Sequence, residues 1–362
     1  MKYLLTLLVT ITFISSCADA DNSYSSDNSS CESNPGPVLT NHITDLQYVK
    51  AIAPPGSIAA GNEIVGRSYL FIKDDVREAQ TLVPVYAPAN AKLISLAYYN
   101  PSSDPDYPPD YALTFRLSCE VTFGFAHLKQ VVDAISAVAP SEPNTETSAQ
   151  NSLETSIEFS AGDLIGYYKT SPTAFDFYFE NTATPNSYVN QERYENDSNS
   201  NALNQVCGYD YMTDDLRSAY FALFGTYNGS VSGTTSCRSA SRDVVGTLSG
   251  TWFLDSDISD GTAQVDNGNY RWRLDIAMAL DQEIKFGTLG NELKRIYSDY
   301  ETHKDPATVT TSHCYEFLVN PTTPQGYAYF NIVSDSQMQI VYNDTETCPN
   351  EFPTSGYVTY YR

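Results

Sequence analysis

The feature that most constrains this chain is a two-residue alternation of apolar and polar side chains. Tyr111, Leu113, Phe115 and Leu117 alternate with Ala112, Thr114, Arg116 and Ser118. Phe175, Phe177 and Phe179 alternate with Asp176, Tyr178 and Glu180, and Tyr270, Trp272, Leu274 and Ile276 with Arg271, Arg273 and Asp275. Successive side chains on a strand point to opposite faces, so this period puts one apolar row on a core and one polar row away from it. Further strands are expected at 81–87, 91–99, 120–126, 314–319, 327–333, 337–342 and 356–361. Helical spacing is rarer. It is read in the stripe Leu128, Val131, Val132, Ile135 and Val138, and in a helix that starts at Thr213 as N-cap and stops near Gly225, with Asp214 and Asp215 in its first turn. The expected fold is therefore mainly β, and the 28 tyrosines suit β-rich surfaces.

Asn/Ser/Thr-rich loops lie at 141–152 and 181–205, and the second marks the boundary between two β-rich halves. In the later half, Gly246 to Phe253 opens a run of strands. Gly250-x-Trp252 resembles the first strand of lipocalin-like barrels, although a β-sandwich fits equally well. Trp252 and Trp272 read as core residues, and Tyr357 to Arg362 as a final strand completing a sheet.

The N-terminus carries a different signal. Met1 and Lys2 precede an apolar run from Tyr3 to Ile14, too short for a bilayer core of roughly 30 Å. It ends in Ile14-Ser15-Ser16-Cys17, which resembles the lipobox of bacterial lipoproteins. That resemblance implies a signal peptide over 1–16, lipidation at Cys17 and a stable membrane anchor. With Ala18 where an inner-membrane signal would place Asp, the expected location is the outer membrane or cell surface. The segment after Cys17 is nearly all Ser, Asp, Asn, Gly and Pro, a composition that buries too little apolar surface to offset ordering entropy, so 17–39 is expected to be a lipidated flexible tether. The formal charge of −24 repels phosphate backbones, which excludes nucleic acid as a partner.

Cys17 leaves six cysteines. Cys207 with Cys237 and Cys314 with Cys348 are nearest neighbours and the preferred disulfides, which leaves Cys31 with Cys119 by subtraction. With no C-x-x-C or Cys/His cluster, no metal or other cofactor is expected. No nucleophile elbow, P-loop or dinucleotide fingerprint occurs. Asp255, Asp257 and Asp260 lack full calcium-loop spacing and read as an acidic turn.

Four segments in the first half occur in an order found in lysostaphin-type zinc peptidases. Val83-Pro84-Val85-Tyr86-Ala87-Pro88-Ala89-Asn90-Ala91-Lys92-Leu93-Ile94 resembles their "pVyAp.dG.V" stretch, and Val121 to Leu128 their "v.y.HL" strand. Phe159 to Gly166 resembles their "v..Gd.IG" turn, and Phe175 to Glu180 sits where they have "hLHfE". The resemblance spans roughly residues 60–185. It implies an antiparallel β-core with an open groove over 40–185. The composition and the later strands place an Asn-rich linker at 186–205 and a second, sandwich- or barrel-like β domain at 206–362.

The peptidases' zinc ligands do not carry over. Gly61 to Asp75 contains no histidine, offering Asn62, Arg67, Asp74 and Asp75 instead, and Arg67 would repel a dication. Asp176 and Tyr178 replace both histidines of the last motif, and His127 matches a position that is not a ligand in the family. The expectation is thus a non-catalytic envelope lipoprotein, binding or scaffolding through a pseudo-peptidase groove lined by Asn62, His127, Asp176 and Tyr178, with a cell-wall or surface glycan or a peptide as partner. Two alternatives are an active metallohydrolase with ligands such as Asp74, Asp176 and His127, and a small-molecule carrier using the C-terminal β domain.

Overall fold

A computed structural model describes residues 31–58, 63–100, 108–144, 151–195, 201–225, 229–233, 236–254, 267–278, 283–289, 292–297, 303–320 and 323–362. The lipobox and most of the tether, Asn62, and the turn bearing Asp255, Asp257 and Asp260 lie outside the described residues. Residues 32–362 form one compact unit.

The chain is mainly β, as the alternation predicts. Its first part contributes β1 (Val49–Ala53), β2 (Ser57–Ile58), β3 (Ile64–Val65), β4 (Ser68–Ile72), β5 (Val83–Tyr86), β6 (Ala91–Tyr99), β7 (Asp110–Arg116), β8 (Val121–Leu128), β9 (Gln130–Val131), β10 (Asn151–Phe159), β11 (Leu164–Tyr168) and β12 (Ala174–Asn181). Seven of these make an antiparallel sheet in the order β1-β4-β12-β8-β7-β6-β10, and β5-β11-β9 make a second. The register explains the cohesion of the large sheet. Leu113 lies opposite Phe125, which lies opposite Phe177, and Phe115, Phe123 and Phe179 form the next rung. All six side chains are buried, with Phe115 and Phe123 stacked at 4.9 Å. Burying each such side chain contributes roughly 1.5–3 kcal/mol. Val83, Val85, Ile165 and Tyr168 of the small sheet enter the same core, so the two sheets pack face to face.

Two sequence expectations change here. The Leu128–Val138 stripe is not one helix. Leu128 ends β8, β9 pairs with β11, and only Asp133–Ser136 is helical. Leu128 and Ile135 are both buried because the chain crosses between the sheets with its apolar residues inward, whereas Val138 is exposed. The expected boundary also moves. Cys207, Tyr209, Met212, Tyr220, Phe221 and Phe224 belong to the first core, and the Tyr220 hydroxyl accepts from the Ile43 amide at 2.7 Å. The helix expected after Thr213 is present as Asp214–Phe221. Within the expected linker, Gln191–Glu195 is helical and Tyr188 and Tyr194 are buried against Phe253.

The second part contributes β13 (Gly250–Phe253), β14 (Arg273–Met278), β15 (Glu283–Leu289), β16 (Glu292–Tyr297), β17 (His313–Asn320), β18 (Thr323–Ser334), β19 (Gln337–Asn343) and β20 (Val358–Tyr361). They form one antiparallel sheet ordered β16-β15-β14-β13-β20-β19-β18-β17, a half-barrel around its own core. The last strand completes this sheet between β13 and β19. Trp252, Phe286, Tyr315, Phe330 and Tyr360 are fully buried inside it, and Phe286 meets Tyr315 at 5.0 Å and Phe330 at 5.5 Å. Among the described residues, the inward side chains of this sheet pack against one another. Trp252 is core, while Trp272 is partly buried against Phe253 at 5.0 Å.

Disulfides join Cys207 to Cys237 and Cys314 to Cys348, each with Cα atoms 6.0 Å apart, and Cys31 and Cys119 are also disulfide-bonded. The β2–β3 hairpin meets the half-barrel through polar contacts: Asp275 accepts from the Ile64 amide at 3.0 Å, and Arg273 reaches Glu63 at 3.1 Å.

Candidate site on the large sheet

The face of the seven-stranded sheet turned away from the first core carries the alternate residues of the same strands. Register sets Tyr69, Asp176 and Ala126 side by side across β4, β12 and β8. Arg67 precedes β4, and its Nε lies 3.3 Å from Asp176 Oδ2 and donates to the Tyr69 hydroxyl at 3.0 Å. His127 sits near the end of β8 with φ of 68°, a left-handed conformation uncommon for a residue with a Cβ. Its imidazole lies between two carboxylates: Nδ1 is 2.7 Å from Asp110 Oδ2, and Nε2 is 3.9 Å from Asp176 Oδ2. Asp110 is fully buried and also accepts from the ammonium of Lys129, whose side chain is 5 % exposed.

The structure therefore brings together His127 and Asp176 of the expected groove and adds Arg67, Asp110 and Lys129. Tyr178 is adjacent but engaged differently. Its ring lies over Gly124, where a Cβ would collide with it, and its hydroxyl donates to the Leu113 carbonyl at 2.9 Å beside Thr114 Oγ1 at 3.1 Å. Tyr178 is thus a brace across three strands. Asp110 and Lys129 went unread in the sequence, although Lys129 stands two residues after His127 and Asp110 immediately precedes an alternating strand.

Electrostatics follow from this packing. Burial pushes the Asp176 carboxyl above its ordinary range, with Arg67 and His127 opposing that shift and Asp110 reinforcing it. Burial also lowers Lys129, which Asp110 counteracts. Tyr99, opposite Asp110 on β6, is raised by burial and then by the nearby carboxylates.

The ligand set Asp74, Asp176 and His127 is not assembled. Asp74 lies beyond the far end of β4 from Arg67 and pairs with Lys50 at 3.0 Å and Arg77 at 3.2 Å. Among the described residues, the group of His, Cys, Asp and Glu with ligand atoms within 4.8 Å of one another is Cys207, Asp210 and Cys237, whose sulfurs are already joined to each other. Both nitrogens of His127 meet carboxylates, so among the described residues no hydroxyl or thiol nucleophile is held on it.

Glu180 continues the same face of β12, and burial pushes its carboxyl up to about 7, with the Gln205 side chain opposing. A carboxyl whose folded pKa lies above its unfolded value binds its proton more tightly in the native state. Its contribution is therefore favourable below the ordinary 4.5 and is lost as pH rises through 7. Glu180→Gln is expected to melt with the parent near pH 4.5 and above it near pH 8, and an equal difference at both pH values in thermal scans would contradict this.

The fold and site together define a mainly antiparallel β-protein with a buried ion-pair cluster on the outer face of its seven-stranded sheet. No family model, curated protein or solved structure matches the chain.

Proposed function

We propose that this chain is an envelope lipoprotein, anchored through Cys17, that binds or scaffolds without catalysis through the groove around Asp176 and His127. The observation that carries this reading is the state of the two carboxylates. Arg67 sits on Asp176 and Lys129 on Asp110, so the cluster balances its own charge, and Asp176 stands where the peptidases that the sequence resembles carry a histidine. A dication placed there would meet a guanidinium and an ammonium at close range, and each repels it. The ordered segments that resemble lysostaphin-type peptidases, together with the antiparallel sheet that carries them, support cell-wall material as the partner class. The packed core that the described residues make inside the half-barrel argues against carriage of a small molecule.

Two measurements test the proposal. The full chain should sediment with purified cell-wall sacculi, leave them uncut and contain no stoichiometric zinc by elemental analysis. Wall cleavage or one zinc per chain would overturn the non-catalytic reading. Cys17→Ser should move the protein from the membrane to the soluble fraction, and continued membrane retention would remove the anchor.

A further inference from the structure

Asp110 and Lys129 are charged groups held together out of water. Asp110 opens β7, Lys129 directly follows β8, and the pairing of Tyr111 with Leu128 sets the two opposite each other. Their side chains are 0 % and 5 % exposed, whereas the pairs Lys50–Asp74 and Lys92–Glu158 stand in solvent. Lys129 Nζ contacts Asp110 Oδ1 and donates to the Pro108 carbonyl at 3.1 Å, which fixes it against the carboxyl. The other carboxyl oxygen, Oδ2, lies 2.7 Å from His127 Nδ1. One oxygen thus faces an amine and the other a ring that can pass protons.

This arrangement favours condensation. A buried ion pair carries a desolvation cost for as long as both groups are charged, and an amide removes both charges without altering the net charge of the cluster. Burial lowers the proton affinity of Lys129, which Asp110 counteracts, and a neutral amine is the form that attacks. Groups already held in contact avoid the entropy cost of meeting. Asp176, whose own proton is held more tightly through burial, lies 3.9 Å beyond His127 Nε2 and keeps the ring between two carboxyls. We infer that Lys129 and Asp110 join in an isopeptide bond, Nζ to Cγ, which ties the start of β7 to the end of β8. Nζ adds to Cγ, and the Cγ–Oδ2 bond breaks. The two protons that the ammonium loses end on Oδ2, passed by His127 Nδ1, and that oxygen leaves as water. His127 is 25 % exposed, which gives the water a way out. The bond forms whether or not the groove holds a partner.

Mass spectrometry of the purified full chain tests this. After reduction and trypsin digestion, peptides 93–116 and 117–169 should appear joined and lighter than their sum by one water, because acylated Lys129 is no longer a cleavage site. Separate peptides 93–116, 117–129 and 130–169 would overturn the inference, and this reading uses the parent chain, so no variant need fold for it to fail. Lys129→Arg keeps the cation without the attacking amine and should release 93–116 uncoupled. A joined peptide in that variant would place the bond elsewhere and overturn the assignment. His127→Gln keeps a side chain able to hydrogen-bond Asp110 but cannot pass a proton through a ring. In chains sampled at intervals after cell-free synthesis it should slow joining about tenfold or more, and an equal rate would overturn the part given to the imidazole.

Discussion

Asp110→Ala is expected to destabilise the fold by about 3–5 kcal/mol, because it leaves a buried cation without its counter-charge. The Asp110 side chain is fully buried, and that of Lys129 is 5 % exposed. The same substitution frees His127 Nδ1, which Asp110 holds at 2.7 Å, and so releases a ring kept in a left-handed backbone position. Denaturant unfolding of the variant should show a lower midpoint. The double variant Asp110→Leu, Lys129→Met should recover much of the loss, since removing both charges also removes their desolvation cost. A loss below about 1 kcal/mol in the single variant would mean that water reaches Lys129 and the pair is not buried.

Trp252→Ala should cost a similar amount, about 3–5 kcal/mol, through the cavity it opens in the half-barrel. The indole is fully buried, and its Nε1 donates to the Leu248 carbonyl at 3.0 Å. Arg362 lies over the ring, its Cζ 4.1 Å from the centroid. The guanidinium donates to the carbonyls of Ser249 and Val244, and its Nε to that of Asp335, so the ring covers a cation that ties the segment before β13 to the β18–β19 turn. Truncation thus removes an apolar mass and bares one face of that cation. Trp252→Phe should retain more than half of the stability lost by the alanine variant, and an alanine loss below about 2 kcal/mol would contradict the packing described.

How much of this was legible in the sequence depends on whether a strand has two different faces. In 111–117 and 175–179 the core face is aromatic and the other polar, so the period of two stands out. It does not in β1 and β4, whose sequences are VKAIA and SYLFI, because nearly every residue is buried on both faces. β15 was missed for another reason: a register shift between Phe286 and Thr288 breaks its alternation. The Leu128–Val138 stripe misled because a chain stepping between two sheets can bury residues at helical intervals.

The site divides along similar lines. His127 and Asp176 were found through segments resembling a known motif order, but their meeting depends on register, which places Asp176 opposite Ala126, the residue before His127. Asp110 and Lys129 had no local signature. Asp110 reaches His127 through the pairing of β7 with β8 and the backbone turn at His127, and neither is encoded within a few residues of either side chain.

The position of β20 has a consequence for the order of assembly. It lies between β13 and β19, so Val358–Tyr361 joins a group made from 250–297 to another made from 313–343. Synthesis delivers the N-terminal side first. The first group must therefore wait, with the β13 edge unmatched, until about sixty further residues have emerged. During that interval the half-barrel is two fragments with complementary open edges, each able to pair with the wrong chain. Maturation of this half is thus governed by the arrival of its last strand, and a block at that step would expose β13 and β19 to intermolecular pairing.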